Sequence, residues 1–143
     1  MKIGEIIQYL EGREIPCVRE DSDIKEVIEM VVRFPHTRVV YVVDKQRKLR
    51  GAISIGSLLR HIFPHHYEGK IHALGILRDI TAETASHIMD SGNVKASPDE
   101  NVEIVLKRMA ETGAKEMAVV DGDNRILTDI TAVDLLKYYN LSP

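Results

Sequence analysis

A hydroxyl and a carboxylate stand three residues apart near the end of the chain, at Thr131 and Asp134. The preceding residues, Ile126 to Ile130, alternate branched apolar and polar side chains, which predicts a half-buried strand, and the following residues predict a helix. Thr131 can therefore cap the helix, with Asp134 in its first turn. Such a junction places unpaired backbone N–H groups beside two polar side chains. It is either a site for a polar small molecule or only the start of a helix.

The composition describes an ordinary globular protein and excludes several classes of partner. The 143 residues are 44% hydrophobic and 29% charged, with a formal net charge of −3, which gives no reason to expect nucleic acid or an anionic membrane as a partner. No apolar run is long enough to span a membrane, and the first residues lack the apolar core of a signal peptide. The single cysteine, Cys17, cannot form an internal disulfide framework. We therefore expect a cytoplasmic protein without membrane insertion.

Two amphipathic helices are predicted at corresponding places in the two halves of the chain. Their apolar stripes are Ile24, Val27, Ile28, Val31 and Val32 in the first half and Val102, Val105, Leu106, Met109 and Ala110 in the second. The segment Ser97 to Glu100 has the pattern of a capping box and predicts the start of the second helix. Pro35 ends the first helix and Gly113 the second. Apolar strands joined by a polar turn follow each helix.

The two halves can be aligned by counting the number of residues between matching positions. Ser54 matches Thr131 and Asp44 matches Asp121, both 77 residues later, whereas the helical stripes match at 78, so one residue is shifted near Pro35. Two β-α-β-β-α motifs predict an α/β (α+β) fold, with an N-terminal helix and first motif at 1–62, a linker at 63–80 and a second motif at 81–143. Each copy is too small to bury its own core well, so we expect packing about a pseudo-two-fold axis that creates clefts.

The repeat resembles a tandem pair of cystathionine-β-synthase (CBS) domains, also called a Bateman module. The resemblance is carried by Val119 to Asp121 and Ile130 to Leu136 in the second copy, and by Val42 to Asp44 and Gly51 to Ser54 in the first. It implies regulatory binding of an adenosine-containing ligand such as AMP, ADP, ATP or S-adenosylmethionine, without catalysis. It also implies a homodimer that signals to a separate regulated protein.

The resemblance assigns ligand contacts to both copies. Thr131 and Asp134 would contact phosphate and ribose hydroxyls, and a carboxylate accepts such hydrogen bonds strongly. Backbone groups near the first two strands would contact adenine, and Lys115 and Arg38 either reach phosphate or only add solubility. The candidate residues of the second copy are Val94, Lys95, Ala96, Ala114, Lys115, Glu116, Met117, Ala118, Asp129, Thr131 and Asp134; those of the first copy are Cys17, Val18, Thr37, Arg38, Val39, Ser54 and Ser57. Ser57 stands where the second copy has Asp134, which makes the first site the weaker candidate.

Asp129 adds a carboxylate to the family pattern, since the first copy has Ala52 at the matching position. Strand alternation places Asp129 on the same side as Thr131 and near Asp134, unless a twist or a bulge turns it into water. Two carboxylates beside a phosphate cost free energy unless a cation lies between them. On this hypothesis ATP needs Mg²⁺ to bind, whereas AMP, adenosine and S-adenosylmethionine do not.

Two other functions remain open from the sequence. One is a ligand-free dimerisation or scaffold module, which the serine at Ser57 favours. The other is a divalent-metal sensor that uses the acidic cleft or histidines of the linker, although an exposed loop explains these histidines better; they are His61, His65, His66 and His72. No nucleophile–base pair and no phosphate-binding glycine loop is visible, so we expect no enzyme. Cys17 is expected to be a small buried residue.

Overall fold

The computed structural model describes residues 1–63, 83–92 and 95–139. Its first part contains α1 (Ile3–Ile7), a 3₁₀ turn (Gln8–Leu10), β1 (Cys17–Arg19), α2 (Ile24–Arg33), β2 (Val39–Val43), β3 (Leu49–Ser54) and α3 (Ile55–Ile62). Its second part contains α4 (Ala85–Ile88), β4 (Lys95–Ala96), α5 (Val102–Thr112), β5 (Glu116–Val120), β6 (Ile126–Thr131) and α6 (Ala132–Tyr139). The predicted β-α-β-β-α order is therefore present in both halves, and the α/β fold is confirmed.

Each half forms a three-stranded sheet with its second strand in the centre, in the orders β1-β2-β3 and β4-β5-β6. The first two strands are parallel, with Val18 opposite Val42 in one sheet and Ala96 opposite Val119 in the other. These matching residues are separated by 78 positions in the first strand of each sheet and by 77 in the second. The one-residue shift thus falls between the first helix and the second strand of the motif, where the sequence placed it.

The turns before β3 and β6 repeat an uncommon backbone conformation. Arg47 and Asn124, which are 77 positions apart, both have a φ of 64°, in the left-handed region. The backbone N–H of Leu49 donates to Asn124 O at 2.9 Å, and that of Ile126 donates to Arg47 O at 3.1 Å. The same turn chemistry was therefore retained in both copies of the motif.

Most helix ends follow the local signals in the sequence. Asp23 caps α2 by accepting a hydrogen bond from the backbone N–H of Glu26 at 2.8 Å. The same helix ends at Arg33, two residues before Pro35. Gly113 ends α5 with a φ of 77°, a conformation in which glycine avoids the strain of a side chain.

The predicted start of α5 is wrong, because this helix begins at Val102 rather than after Ser97. Pro98 O and Glu100 O, which would accept helical hydrogen bonds, accept instead from the N–H groups of Gly4 and Ile3, each at 2.9 Å. Contacts distant in sequence hold this segment out of the helix and outweigh the local capping signal.

The chain divides into two units that do not coincide with its two halves. Unit 1 comprises Met1–Ile15, Gln46–Leu49 and Val94–Pro143, and unit 2 comprises Pro16–Lys45 and Arg50–Asn93. Within unit 1, α1 lies against the segment before α5; within unit 2, the N–H groups of Ala85 and Ser86 in α4 donate to Ser22 O and Glu20 O. The short helix that precedes each motif thus completes the other motif. The N-terminal helix, which the sequence grouped with the first motif, belongs to the unit of the second.

Each unit has its own hydrophobic core. The core of unit 1 consists of Ile3, Ile6, Ala96, Val102, Val105, Met109, Met117, Val119, Ile130 and Leu135. The core of unit 2 consists of Val18, Ile24, Val27, Val40, Val42, Ile53, Leu58 and Ala85. Both predicted helical stripes reach these cores, except that their last residues, Val32 and Ala110, are exposed.

Candidate functional site

The junction of β6 and α6 in unit 1 forms a reciprocal cap. Thr131 Oγ1 accepts a hydrogen bond from the backbone N–H of Asp134 at 3.1 Å, and Asp134 Oδ2 accepts one from the backbone N–H of Thr131 at 2.9 Å. This is the geometry of a capping box with aspartate in place of glutamate. The cap fixes the hydroxyl and the carboxylate side by side at the helix N-terminus, where the backbone favours negative charge.

Arg13 contacts this cap from a loop that is distant in sequence. Its guanidinium donates two hydrogen bonds to Asp134, from Nη1 to Oδ2 at 2.7 Å and from Nη2 to Oδ1 at 3.0 Å. Such a bidentate pair is stronger and more directional than a single hydrogen bond between neutral groups. Sequence reasoning missed Arg13, because its loop has no periodic pattern and it lies 121 residues from its partner.

Asp129 lies beside the same guanidinium and is buried. Its side chain is 9% exposed, and its Oδ1 atom is 3.8 Å from Arg13 Nη1. Within the part of the chain that the structure describes, this Oδ1 atom has no hydrogen-bond partner. Arg13 Nη1 also approaches the backbone oxygen of Asp129, at 3.4 Å. The expectation that Asp129 lies near Asp134 holds in the structure, and the alternative in which it turns into water does not.

The two carboxylates titrate differently because their surroundings differ. Burial raises the pKa of Asp129 to about 6; the positive charge of Arg13 opposes this change, and the negative charges of Glu116 and Asp134 add to it. Burial also disfavours ionisation of Asp134. The hydrogen bonds from Arg13 and from the Thr131 N–H outweigh that effect and hold the pKa of Asp134 below its usual value. The negative charge of Asp134 is therefore stabilised by its hydrogen bonds, whereas the negative charge of Asp129 is not fully compensated by Arg13.

The first copy has the same cap without a carboxylate. At the junction of β3 and α3, Ser54 Oγ accepts from the backbone N–H of Ser57 at 3.0 Å, and the two hydroxyl oxygens are also 3.0 Å apart. Arg60 Nη2, one turn along the same helix, donates to Ser57 Oγ at 3.2 Å. The described residues of this junction can offer hydroxyl groups to a ligand, but they offer no negative charge.

The remaining candidates of the second copy lie around the two neighbouring strands of the sheet. Lys115 is exposed, and its backbone oxygen accepts from Ala132 N at 2.9 Å, which ties the start of β5 to the start of α6. Glu116 lies opposite Thr131, and Ala118 lies opposite Asp129. These positions flank the cap directly.

Other candidates of the second copy have side chains or backbone groups that are buried or already hydrogen-bonded within the protein. The Met117 and Ala96 side chains are part of the core of unit 1, and Ala118 is fully buried, so these residues could contribute only backbone atoms. The ammonium group of Lys95 donates to Asn124 at 2.8 Å. Ala114 donates its N–H to Thr112 Oγ1 at 3.3 Å. Val94 lies outside the described residues.

The candidates of the first copy lie in unit 2 and follow the same plan. Arg38 is exposed, and its backbone oxygen accepts from Ile55 N at 3.0 Å, the counterpart of the Lys115–Ala132 hydrogen bond. The hydroxyl of Thr37 donates to Val39 O at 2.8 Å. Val18 is a core residue. Cys17, expected to be buried, is only partly buried at the first position of β1.

No set of three or more metal-binding side chains is brought together among residues 1–63, 83–92 and 95–139. His61 pairs with Glu83, whereas His65, His66 and His72 fall outside the described residues. A cavity of about 680 Å³ lies elsewhere in unit 1, between Asn101 and Tyr139. Its lining contains none of the predicted site residues, so we assign no ligand to it.

The CBS domain family profile matches this chain twice, at residues 4–64 and 85–141. The chain therefore belongs to the CBS domain family, and it contains a tandem pair of these domains. Paired CBS domains are regulatory ligand-binding modules. The resemblance inferred from the repeat is confirmed.

Three solved structures illustrate the similarity. A CBS domain-containing protein of Thermotoga maritima is 29% identical, with 100% of this chain and 96% of that chain covered and a TM-score of 0.75. CBSX2 in complex with AMP, a CBS-pair protein from Arabidopsis thaliana, is 16% identical (98% and 96% covered, TM-score 0.73). The CBS domain pair of MJ0100, in complex with 5′-methylthioadenosine and S-adenosyl-L-methionine, is 18% identical (98% and 96% covered, TM-score 0.68). The last two similarities establish the fold alone.

The comparison with curated protein sequences gives no match. Among the helices that the structure describes, none is long and apolar enough to cross a membrane.

Proposed function

We propose that this chain is a regulatory module that binds an adenosine-containing ligand at the β6–α6 junction, through Thr131 and Asp134. The observation that carries the proposal is the fixed pair of hydroxyl and carboxylate at a helix N-terminus, which suits a ribose diol and an adjacent phosphate. Lys115 and Glu116 stand beside this pair. The first copy lacks the carboxylate, so we propose that its junction is the weaker site.

The ligand class is supported by the relatives, since CBSX2 binds AMP and the MJ0100 pair binds 5′-methylthioadenosine and S-adenosyl-L-methionine. AMP, ADP, ATP and S-adenosylmethionine are therefore the ligands to test. Arg13 supplies one positive charge between the two carboxylates, which leaves one negative charge uncompensated. The need of ATP for Mg²⁺ stays a prediction.

Isothermal titration with each ligand tests the site. Replacing Asp134 by alanine removes the acceptor for the ribose hydroxyls, so it should weaken binding by about 1.5–3 kcal/mol. Ser57→Ala at the matching position of the first copy is the control and should leave the affinity unchanged. If Ser57→Ala weakens binding and Asp134→Ala does not, the ligand lies at the first junction. Repeating the ATP titration in EDTA tests the role of Mg²⁺.

A ligand-free dimerisation module is the second candidate function. Its supporting observation is that Arg13 already satisfies both oxygens of Asp134 from within the chain. Mass spectrometry of the purified protein after heat release would reveal a copurifying adenosine compound. The absence of such a compound, together with no binding of any of the four ligands and a stable dimer in sedimentation, would favour this second function.

We also propose that the module acts as a homodimer and transmits ligand binding to another protein. The proposal rests on the family, in which paired CBS domains are regulatory. A regulated partner would be recognised as a protein whose affinity for this chain changes when ligand is added.

A further inference from the structure

The acceptor capacity of Asp134 is almost used up by groups of the protein itself. Its two carboxylate oxygens accept two N–H groups from Arg13 and one from the Thr131 backbone. A carboxylate has about four acceptor positions, whereas a ribose diol brings two donors. A diol can therefore bind Asp134 through both hydroxyls only if at least one of the present hydrogen bonds breaks.

Of the two partners of Asp134, Arg13 is the one whose hydrogen bonds can break. The Thr131 N–H is fixed by the start of α6, whereas Arg13 lies between the 3₁₀ turn and β1, outside any helix or strand. Gly12, which precedes it, has a φ of +84° and open space around the position of a Cβ atom. The Arg13 side chain is 31% exposed, so water can reach the guanidinium when its hydrogen bonds to Asp134 break.

Asp129 offers the guanidinium a second partner at the same junction. Its buried Oδ1 atom has no hydrogen-bond partner among the described residues and lies 3.8 Å from Arg13 Nη1. Asp129 can therefore retain one N–H of Arg13 while the others turn toward the ligand. A guanidinium has five donors in a fork that matches a phosphate group.

We propose that Arg13 is a displaceable internal counter-ion that selects anionic adenosine ligands at this junction. In the ligand-free protein Arg13 donates its hydrogen bonds to Asp134. When the ribose hydroxyls of a nucleotide bind Asp134, Arg13 donates to the phosphate instead. A neutral nucleoside breaks the same ion pair but offers no anion in return. The inference rests on the proposed function, because it takes Asp134 as the ribose acceptor.

The test compares AMP with adenosine on the wild type and on Arg13→Gln, by isothermal titration in EDTA. The wild type should prefer AMP. In Arg13→Gln, AMP should bind more weakly and adenosine more tightly, so that the ratio of the two affinities falls about ten- to hundredfold. Arg13→Lys keeps the charge but not the fork, and it should give a ratio between the other two.

The outcomes separate this inference from the proposed function. If both proteins bind AMP and adenosine with the same affinity ratio, the inference is wrong while the proposed function stands. If adenosine binds only Arg13→Gln, Arg13 blocks neutral ligands completely and the inference is supported. If neither protein binds AMP or adenosine, the inference fails; if ADP, ATP and S-adenosylmethionine also fail to bind, the proposed function fails with it. Should Arg13→Gln not fold, Arg13→Lys decides, because an affinity ratio equal to that of the wild type would exclude selection by the guanidinium fork.

Discussion

At the junction of β3 and α3 an arginine binds a hydroxyl of its own helix, whereas at the junction of β6 and α6 an arginine binds a carboxylate from far along the chain. The backbone of the two caps is the same, since Ser54 and Thr131 each accept the N–H of the residue three positions later. What differs is that later residue, which is Ser57 in one copy and Asp134 in the other. A single carboxylate thus converts a local helix cap into a contact between distant segments.

The comparison shows which part of a duplicated motif is free to change. The strand pairing, the turn and the cap depend on backbone geometry and recur at a fixed separation. The hydrogen bond common to both caps uses only the backbone N–H of the residue in the first helical turn. The side chain of that residue accepts the Thr131 N–H and two Arg13 N–H groups in the second copy, but a hydroxyl and an Arg60 N–H group in the first. It can therefore carry a charge in one copy and none in the other, so ligand recognition can differ between copies without a change in the fold.

The largest expected effect tests whether the two junctions rest on equivalent cores. Leu58 and Leu135 occupy matching positions, 77 residues apart, and are 5% and 0% exposed. Replacing either by alanine should lower the free energy of unfolding by about 2–5 kcal/mol, as measured by urea denaturation. Val133→Ala, at an exposed position of α6, is the control and should change it by less than about 0.5 kcal/mol. A large loss at only one leucine would show that the junctions are supported differently.

The next effect concerns Asp129, which Ala52 replaces in the first copy. Because the pKa of Asp129 in the folded protein is about 6, above its ordinary value of 3.8, the folded state retains this proton longer than the unfolded chain. Stability is therefore lost as the pH rises from about 4 to about 6, and the full cost above pH 6 is about 3 kcal/mol. Asp129→Asn should raise the free energy of unfolding by about 1–3 kcal/mol at pH 7.5 and hardly change it at pH 4.

Asp123→Asn, at an exposed turn position, is the matched control for the loss of one negative charge. It should leave stability nearly unchanged at both pH values. If Asp129→Asn gives no gain at pH 7.5, Arg13 compensates Asp129 fully, and the difference in charge compensation between Asp129 and Asp134 disappears.

The substitution with the smallest expected effect makes the first junction resemble the second. Ser57→Asp places a carboxylate in the first turn of α3, within reach of Arg60, which already donates to Ser57. We expect a gain in the free energy of unfolding of about 0.3–1 kcal/mol from the helix dipole. The gain should shrink at high salt, because the new pair is exposed. A loss of stability would mean that the serine hydroxyl is required by the cap of the first copy.

The fold followed from the sequence wherever the determining signals were local. The apolar stripes, the turn pattern and the one-residue shift near Pro35 are all read within short segments, and the structure contains them. The start of α5 was misplaced because Pro98 O and Glu100 O are taken by α1, about a hundred residues earlier. No local pattern reports such a hydrogen bond.

The candidate site was half predictable for the same reason. Thr131 and Asp134 form a motif within four residues, so spacing and resemblance located them. Arg13 could not be found, because the chain has several arginines and nothing in the loop around Arg13 indicates a partner 121 residues away. The burial of Asp129 was also hidden, because strand alternation gives the side of the sheet on which a residue lies but not what covers that side.

The placement of the leading helices has a consequence for the order in which the protein is made. Unit 2 is complete in sequence once residue 93 has been synthesised, whereas unit 1 needs both the first residues and those after residue 94. At roughly 5–20 residues per second on the ribosome, α1 waits several seconds or longer for the strands that bury Ile3 and Ile6. Helix α1 thus leaves the ribosome before unit 2 but becomes part of the unit that is completed after unit 2, and during this interval its apolar face is a natural target for chaperones.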